Sequence, residues 1–523
     1  MNASTQRFTL FAAILLASVT AACNSGTTVV GPPPPPPMGN FSNASLKGQY
    51  AFSMTGTELC GLNPGFPSFF TRAGSFTADG NGHISGGLED VNVCAGVFTL
   101  QFTNSTYSIG ADGRGKLTLK NSTGTTNYSI TLTSATQGVV AQTDVNSTAT
   151  GSFQRQNPAA FSNPAIAGGY VFDFAGINVR LNPESVIGRF TADGAGGINT
   201  NTGLFDSNEA GTPSNQQLFP AGAFYQIDTN GDGTNFGRGT ANIAGHNFAF
   251  YIVDGTRLKL LGTNFPAALS GEAFAQQNMS FSDASVNSGL AFLIGGSSST
   301  GPIATAGRFT ADGAGKVSEI FLDENNNGGL TLLPSQGGTV TGTYTVDANG
   351  LGGGTATWTD SNAGTFSFIF YLISPTQAVF QETDGGITSD GTFLTQTAGP
   401  ISPASLAGDF AFVWTGVSSD EEDFVGQMKL TSASGNNASG IMDFNEFRTG
   451  TQFFDIQFKG PLTITAPGTG PNTLSVTTNF PSARTFDFTA YAVDSNAVFL
   501  VGAEAGTDPN RVRVIAGSLS RQP

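Results

Sequence analysis

The chain repeats itself at a shift of about 120 residues, and this repeat constrains the fold more than any other feature. Four segments open alike: SLKGQYAF (45–52), AIAGGYVF (165–172), SVNSGLAF (285–292) and SLAGDFAF (405–412). Tyr50, Tyr170, Leu290 and Phe410 stand 120 apart, as do Phe52, Phe172, Phe292 and Phe412. Late in each unit Tyr128, Phe248, Phe368 and Phe488 keep the same interval, and the units close with GSFQRQ, GEAFAQ, GTFLTQ and GSLSRQ. Independent strings that agree on one shift mark tandem copies of one structural unit. The copies span 45–157, 158–278, 279–398 and 399–523. Each is long enough to be a domain, and 523 residues are too many for one core.

Within a unit the pattern is strand and turn. YAFSMTG alternates large and small residues, and FSFIFYL (366–372) places Phe at every second position, which turns one face inward. Hairpins follow at AGSFTADGNGHISGG, STYSIGADGRGKLTL and TNYSITLTSATQGVV, with no helical period of useful length. The expectation is an all-β protein: four tandem antiparallel β-domains of about eight strands each. An up-and-down barrel removes the exposed edges of such a meander. A β-sandwich is the alternative, and a single propeller with two blades per unit ranks below both. The string GRFTADGAG, at 188–196 and again at 307–315, is then the hairpin between strands two and three. Its Asp accepts from backbone N–H groups, and its glycines take positive φ. A phosphate loop would need a following helix, and none follows.

Composition narrows the function. Hydrophobic residues make up 39%, charged residues 11%, and there are 70 Gly and 44 Phe. So many aromatics suit packed sheets rather than disorder. The formal net charge of −16 repels phosphate backbones, which argues against a nucleic-acid partner.

The N-terminus reads as an address. One basic residue, Arg7, precedes an apolar run from Phe8 to Val19, small residues and Cys23, the pattern of a secretory signal over residues 1–22. Cys directly after TAA resembles a lipoprotein signal with Cys23 as the lipidated first residue, although Thr20 stands where Leu is usual. Cleavage nearby and secretion is the alternative. Residues 23–44 form a tether with six consecutive prolines, Pro32–Pro37, a semi-rigid spacer. Cys60 and Cys94 remain to pair with each other in a disulfide. This signal, the tether and the repeats bearing FTADGxG and GTYTVDANG (342–350) resemble repeat-containing surface lipoproteins of acidobacteria-like soil bacteria. The resemblance covers nearly the whole mature chain. It implies location and architecture and carries over no functional residue.

Binding is expected at the end away from the ADGxG turns, where the connections are long and differ between units: 57–72, 176–186, 295–305 and 416–425. One element recurs there, D-x-N at the close of strand three: Asp90/Asn92, Asp206/Asn208, Asp323/Asn325 and Asp443/Asn445. It reads either as a strand-ending turn or as rim ligands for Ca²⁺ or a sugar hydroxyl. DTNGDG (228–233) fits half of a calcium loop through Asp228, Asn230 and Asp232, but Gly239 stands at its twelfth position. No catalytic set emerges: His83 and His246 lie in different units, and the run Asp420–Asp423 reads as a solvated acidic loop. The function expected is a lipid-anchored envelope scaffold for binding or adhesion, with a glycan or another envelope protein as partner and no cofactor, calcium at the half loop being the one candidate ion. A polysaccharide hydrolase is the alternative.

Overall fold

A computed structural model describes residues 26–32, 39–60, 66–228, 236–277, 279–397, 399–418, 420–433, 435, 437–447, 449–465, 470–504 and 513–523. The signal segment, Cys23, Asn230, Asp232 and most of the proline run lie outside these residues.

The fold is four tandem antiparallel eight-stranded barrels, as the repeat implied. A short strand, β1 (Thr28–Val30), precedes the first. The first barrel consists of β2 (Lys47–Leu59), β3 (Pro67–Asp79), β4 (His83–Val93), β6 (Ser105–Ile109), β7 (Arg114–Asn121), β8 (Gly124–Ser134), β9 (Gln137–Asp144) and β10 (Ser147–Arg155). Their order is β3-β2-β10-β9-β8-β7-β6-β4, and β4 pairs back on β3 to close the sheet. One strand was not foreseen: β5 (Gly96–Gln101) hairpins onto β4 outside the closed ring. The third unit has the same order and closure. The second closes through bridges Ala192–Ile198 and Gly197–Phe224, and the fourth through Phe458–Lys459 against Thr477–Thr478.

Alternation on the first strand of each unit fills the barrels. Tyr50, Phe52 and Met54 point inward, and so do their counterparts Phe410, Phe412 and Trp414 in the last unit. Leu46, Ile166, Val286 and Leu406, again 120 apart, plug one end and are at most 3% exposed. The hydroxyls of Tyr107, Tyr225 and Tyr344 bond the backbone carbonyls of the first three of these plugs.

The ADGxG strings form the hairpin turns. Oδ1 of Asp193 accepts from Ala195 and Gly197 N–H at 2.7 and 2.8 Å, and Asp79 and Asp312 do the same in their units. These bonds to the ionised form hold all three carboxyls below the usual range. The leading glycine of the motif has a separate reason. A Cβ on Gly307 would lie 2.3 Å from the Phe321 carbonyl and 2.4 Å from Phe292 Cζ, and Gly74, Gly188 and Gly426 meet their own first-strand Phe in the same way. Gly307→Ala should therefore cost about 2 kcal/mol of stability through overpacking, read as a lower urea midpoint.

Candidate functional site

The D-x-N pairs do not form a rim; the structure corrects that expectation. Each pair points outward from the barrel wall onto the next unit, where all but the half-buried Asp323 are buried. Asn92 donates to the carbonyls of Gly262 and Ala267 at 2.8 and 2.6 Å. Asn208 donates to Ile387 at 2.7 Å, Asn325 to Gly502 at 2.9 Å, and Asn445 to Asp144 and Ser147 at 2.8 and 2.9 Å. The Asp of each pair meets a donor on the same neighbour. Asp90 accepts from Tyr251 and from Arg238, Asp206 from Tyr371, Asp323 from Tyr491, and Asp443 from Lys116.

The partners run from unit one to two, two to three, three to four, and four back to one, so the barrels close into a ring. Repeated use of one heterologous contact closes when the rotation per unit allows it. The terminal Gln of each closing string makes a second contact of the same kind. Gln156 Nε2 donates to the carbonyls of Phe236 and Ile252, Gln276 to Leu351 and Leu372, Gln396 to Ala492, and Gln522 to Asp112 and Leu132 of the first unit.

Three seams also carry an apolar cluster. Ala51, Ala73 and Leu88 pack on Tyr251, Val253 and Leu261; Val171 and Ile187 on Ile369, Tyr371, Ile373 and Val379; Ala291, Ala304 and Ala306 on Tyr491, Val493 and Val501. The seam from unit four to unit one differs. Position 131, the counterpart of Tyr251, Tyr371 and Tyr491, is Thr, and charged and hydroxyl groups dominate. Lys116 pairs with Asp443 at 2.6 Å, Arg114 with Asp455 at 2.8 Å, and Thr148 donates to Asp423 at 2.9 Å. The acidic run at 420–423 is therefore not a solvated loop: Asp423 is fully buried, Glu421 takes the Thr57 hydroxyl, and Glu422 pairs with Arg513. Burial raises both Glu421 and Asp423, the latter to about 6, and the two carboxyls are close enough to interact. The strand β1 lies beside this seam. It pairs in parallel with Gln452–Phe454 of unit four, and the chain then reaches unit one, where Phe41 N–H bonds the Ala111 carbonyl.

Two solvent spaces open between the units. A channel of about 380 Å³ is lined by residues from all four, including Ser53, Ser152, Ser270, Leu293, Val413 and Ser518. Behind two of its lining serines Lys259 is fully buried, donates to Ser53 and Ser152, and pairs with Glu272 at 2.7 Å. Burial pushes this lysine down to about 8, against the pull of Glu272. The second space, about 390 Å³, is a cleft between units one and four lined by Lys116, Thr118, Asn127, Asp144, Gln452 and Phe454, among others.

The remaining candidates are placed as follows. Cys60 and Cys94 form a disulfide with Cα atoms 5.7 Å apart, tying the first long connection to the turn after β4. Asp228 of the half calcium loop is engaged by Arg238. Among the described residues no cluster of His, Cys, Asp or Glu could hold a metal ion. His83 starts β4 beside the hairpin turn, and His246 packs edge-on to Phe174, 3.8 Å from Glu184. Inside the third barrel Glu324 and Glu382 are 6% and 1% exposed. Burial raises both, Glu324 to about 7, and the charge of Glu324 pushes Glu382 further.

The inter-unit donors were missed by sequence reading, although one signal existed: Tyr251, Tyr371 and Tyr491 recur at 120. No protein family matches the sequence, and no curated protein matches it. Solved structures give distant likenesses. Isotype 1 transferrin binding protein B from serogroup B Neisseria meningitidis shares 10% identity over 74% of this chain and 85% of its own, at a TM-score of 0.22. A transferrin binding protein B mutant from Haemophilus parasuis shares 9% over 74% and 83%, at 0.19. Intact Ap-TbpB, with N and C lobes, shares 8% over 95% and 79%, at 0.18. Superpositions this loose transfer neither a fold nor a ligand to this chain.

Proposed function

We propose that the protein is a binding or adhesion scaffold of the bacterial cell envelope, held there by a lipid on Cys23 and kin to the repeat-containing surface lipoproteins its sequence resembles. One observation carries the binding role. The repeated polar pairs and the aromatic interiors are spent on building a rigid ring, while the clefts between units and the dissimilar long connections are left to meet a partner. The address is supported by the signal-like N-terminus and the proline tether. Among the described residues no helix is long and apolar enough to cross a membrane.

Two measurements test this reading. Labelled mature chain should bind either a glycan array or a panel of purified envelope proteins; failure with both ends the scaffold reading. Cys23→Ala should move the chain from the membrane to the soluble fraction, and unchanged partitioning refutes the anchor. The hydrolase alternative has one specific support, the buried carboxyls Glu324 and Glu382 in a single unit. If it holds, Glu382→Gln should abolish release of reducing sugar from a polysaccharide that the parent degrades.

A further inference from the structure

We propose that the cleft between the fourth and first units is a binding site for a neutral saccharide. This deepens the scaffold reading and rests on it. The cleft belongs to the one seam whose neighbours are polar: Thr131 replaces the tyrosine that fills the other three, and Lys116 takes over its hydrogen bond to the Asp of the D-x-N pair. An opening of about 390 Å³ remains beside that substitution, within the size range of small-ligand sites, about 300–1,000 Å³.

The lining suits ring hydroxyls. A sugar hydroxyl donates once and accepts twice, so its partners must offer donors and acceptors side by side. Unit one supplies Thr118, Asn127 and the Asp144 carboxylate, and unit four supplies Gln452 and the ring of Phe454. The first group is held in place before any ligand arrives. Thr118 donates to Asn127 Oδ1 at 3.3 Å, Asn127 Nδ2 donates to Asp144 Oδ1 at 3.0 Å, and Gln142 donates to Asp144 Oδ2 at 2.9 Å. Such preorganisation lowers the ordering cost of binding. Gln452 Oε1 accepts from the Thr28 hydroxyl of β1. Its amide nitrogen has no acceptor among the described residues and is available to a ligand.

Other ligand classes fit less well. An anion would need uncommitted cations, but Lys116 is already bound to Asp443 and Ser129 and lies over Phe454, in a chain of net charge −16. A peptide adding as a strand beside the cleft would need the backbone edge at Gln452–Phe454, which β1 already occupies.

The test screens the mature chain on an array of neutral and acidic oligosaccharides and then titrates the best neutral binder by calorimetry. Asn127→Ala and Gln452→Ala should each weaken binding at least tenfold, and Thr118→Trp, which fills the cleft from an exposed strand, should abolish it. Each variant is checked for an unchanged melting temperature and elution volume. Thr357→Ala, on an exposed face of the third barrel, should bind like the parent. Retained affinity in folded Asn127→Ala, Gln452→Ala and Thr118→Trp overturns the cleft while leaving the scaffold reading in place. Absence of any neutral binder, or a preference for acidic sugars alone, also overturns it; binding to an envelope protein instead would leave the scaffold reading standing.

Discussion

Asp90→Ala should destabilise the contact between the first two barrels by about 3–5 kcal/mol, the largest effect of any single seam substitution. Asp90 is 1% exposed and accepts from Arg238 Nε and Nη2 at 2.7 and 2.9 Å and from the Tyr251 hydroxyl at 2.7 Å. Removing it strands a guanidinium and a phenol in a site that water barely reaches, and the desolvation cost of the orphaned charge dominates. Tyr251→Phe removes one neutral donor and should cost only about 1 kcal/mol. Restoring the balance with Asp90→Ala and Arg238→Met together should recover much of the loss, because no unpaired charge is left. The equivalent change in the last unit, Asp443→Ala, should cost far less. Its partner Lys116 has a side chain 47% exposed, and solvent screens such a pair to about 1 kcal/mol or below. Hydrogen exchange of the strands flanking each seam reads these differences directly. A global melt of four barrels would blur them.

The ring should close more tightly as pH falls from 8 to 5, against the usual trend for acid. Glu421 and Asp423 face the first unit through Thr57 and Thr148, Thr415 of their own unit also donates to Asp423, and among the described residues no cation contacts either carboxyl. Desolvation is the main cause of their upward shifts, and each carboxyl acts on the other. The folded seam therefore binds protons more tightly than the unfolded chain does. Stability is fully present below the unfolded pKa and is lost as pH rises through the folded value, about 6 for Asp423, while Glu421 is likewise raised by burial and by the charge of Asp423. The shift of Asp423 from 3.8 to about 6 corresponds to about 3 kcal/mol of seam stability that is present in acid and lost by neutral pH. Asp423→Asn should flatten this dependence and slow exchange at β10 and at Glu421–Leu430 at pH 8. Equal exchange at pH 5 and pH 8 in the parent would refute the account. The hairpin carboxyls Asp79, Asp193 and Asp312 act in the opposite sense but below their ordinary range, whereas Glu324 and Lys259 also titrate near this window, so the comparison rests on exchange at the seam strands and on its loss in Asp423→Asn.

The sequence disclosed the architecture because barrel formation is local. Hairpin turns, inward alternation and a 120-residue period are all written along one strand or its neighbour. The Asp-Gly-x-Gly turns sit where that chemistry demands, and the leading Gly is explained by a Phe on the adjacent strand. The D-x-N pairs were visible as a recurrence but not as a contact, because repetition marks a position without naming what it touches. Asp206 and Tyr371 are 165 residues apart, and nothing along the chain couples them. Burial of the 420–423 run was hidden for the same reason: four acids in a row look solvated until a neighbouring unit covers them. The single departure at Thr131 carried more information than the matches, since it marks the seam that lost its aromatic filling and kept an opening.

Closure also explains copy number. Every unit presents an Asn and a Gln to a following neighbour and a set of carbonyls to a preceding one, so a chain of three or five copies would end with both halves of a seam unmatched. Such a chain would have two ways to satisfy them, by strain or by joining other molecules end to end into filaments. Four is the number at which the last Gln522 finds Asp112 and Leu132 in its own molecule. Gain or loss of one whole repeat, a common event in duplicated genes, would therefore open the closed ring and favour a polymer without altering a single residue inside any barrel.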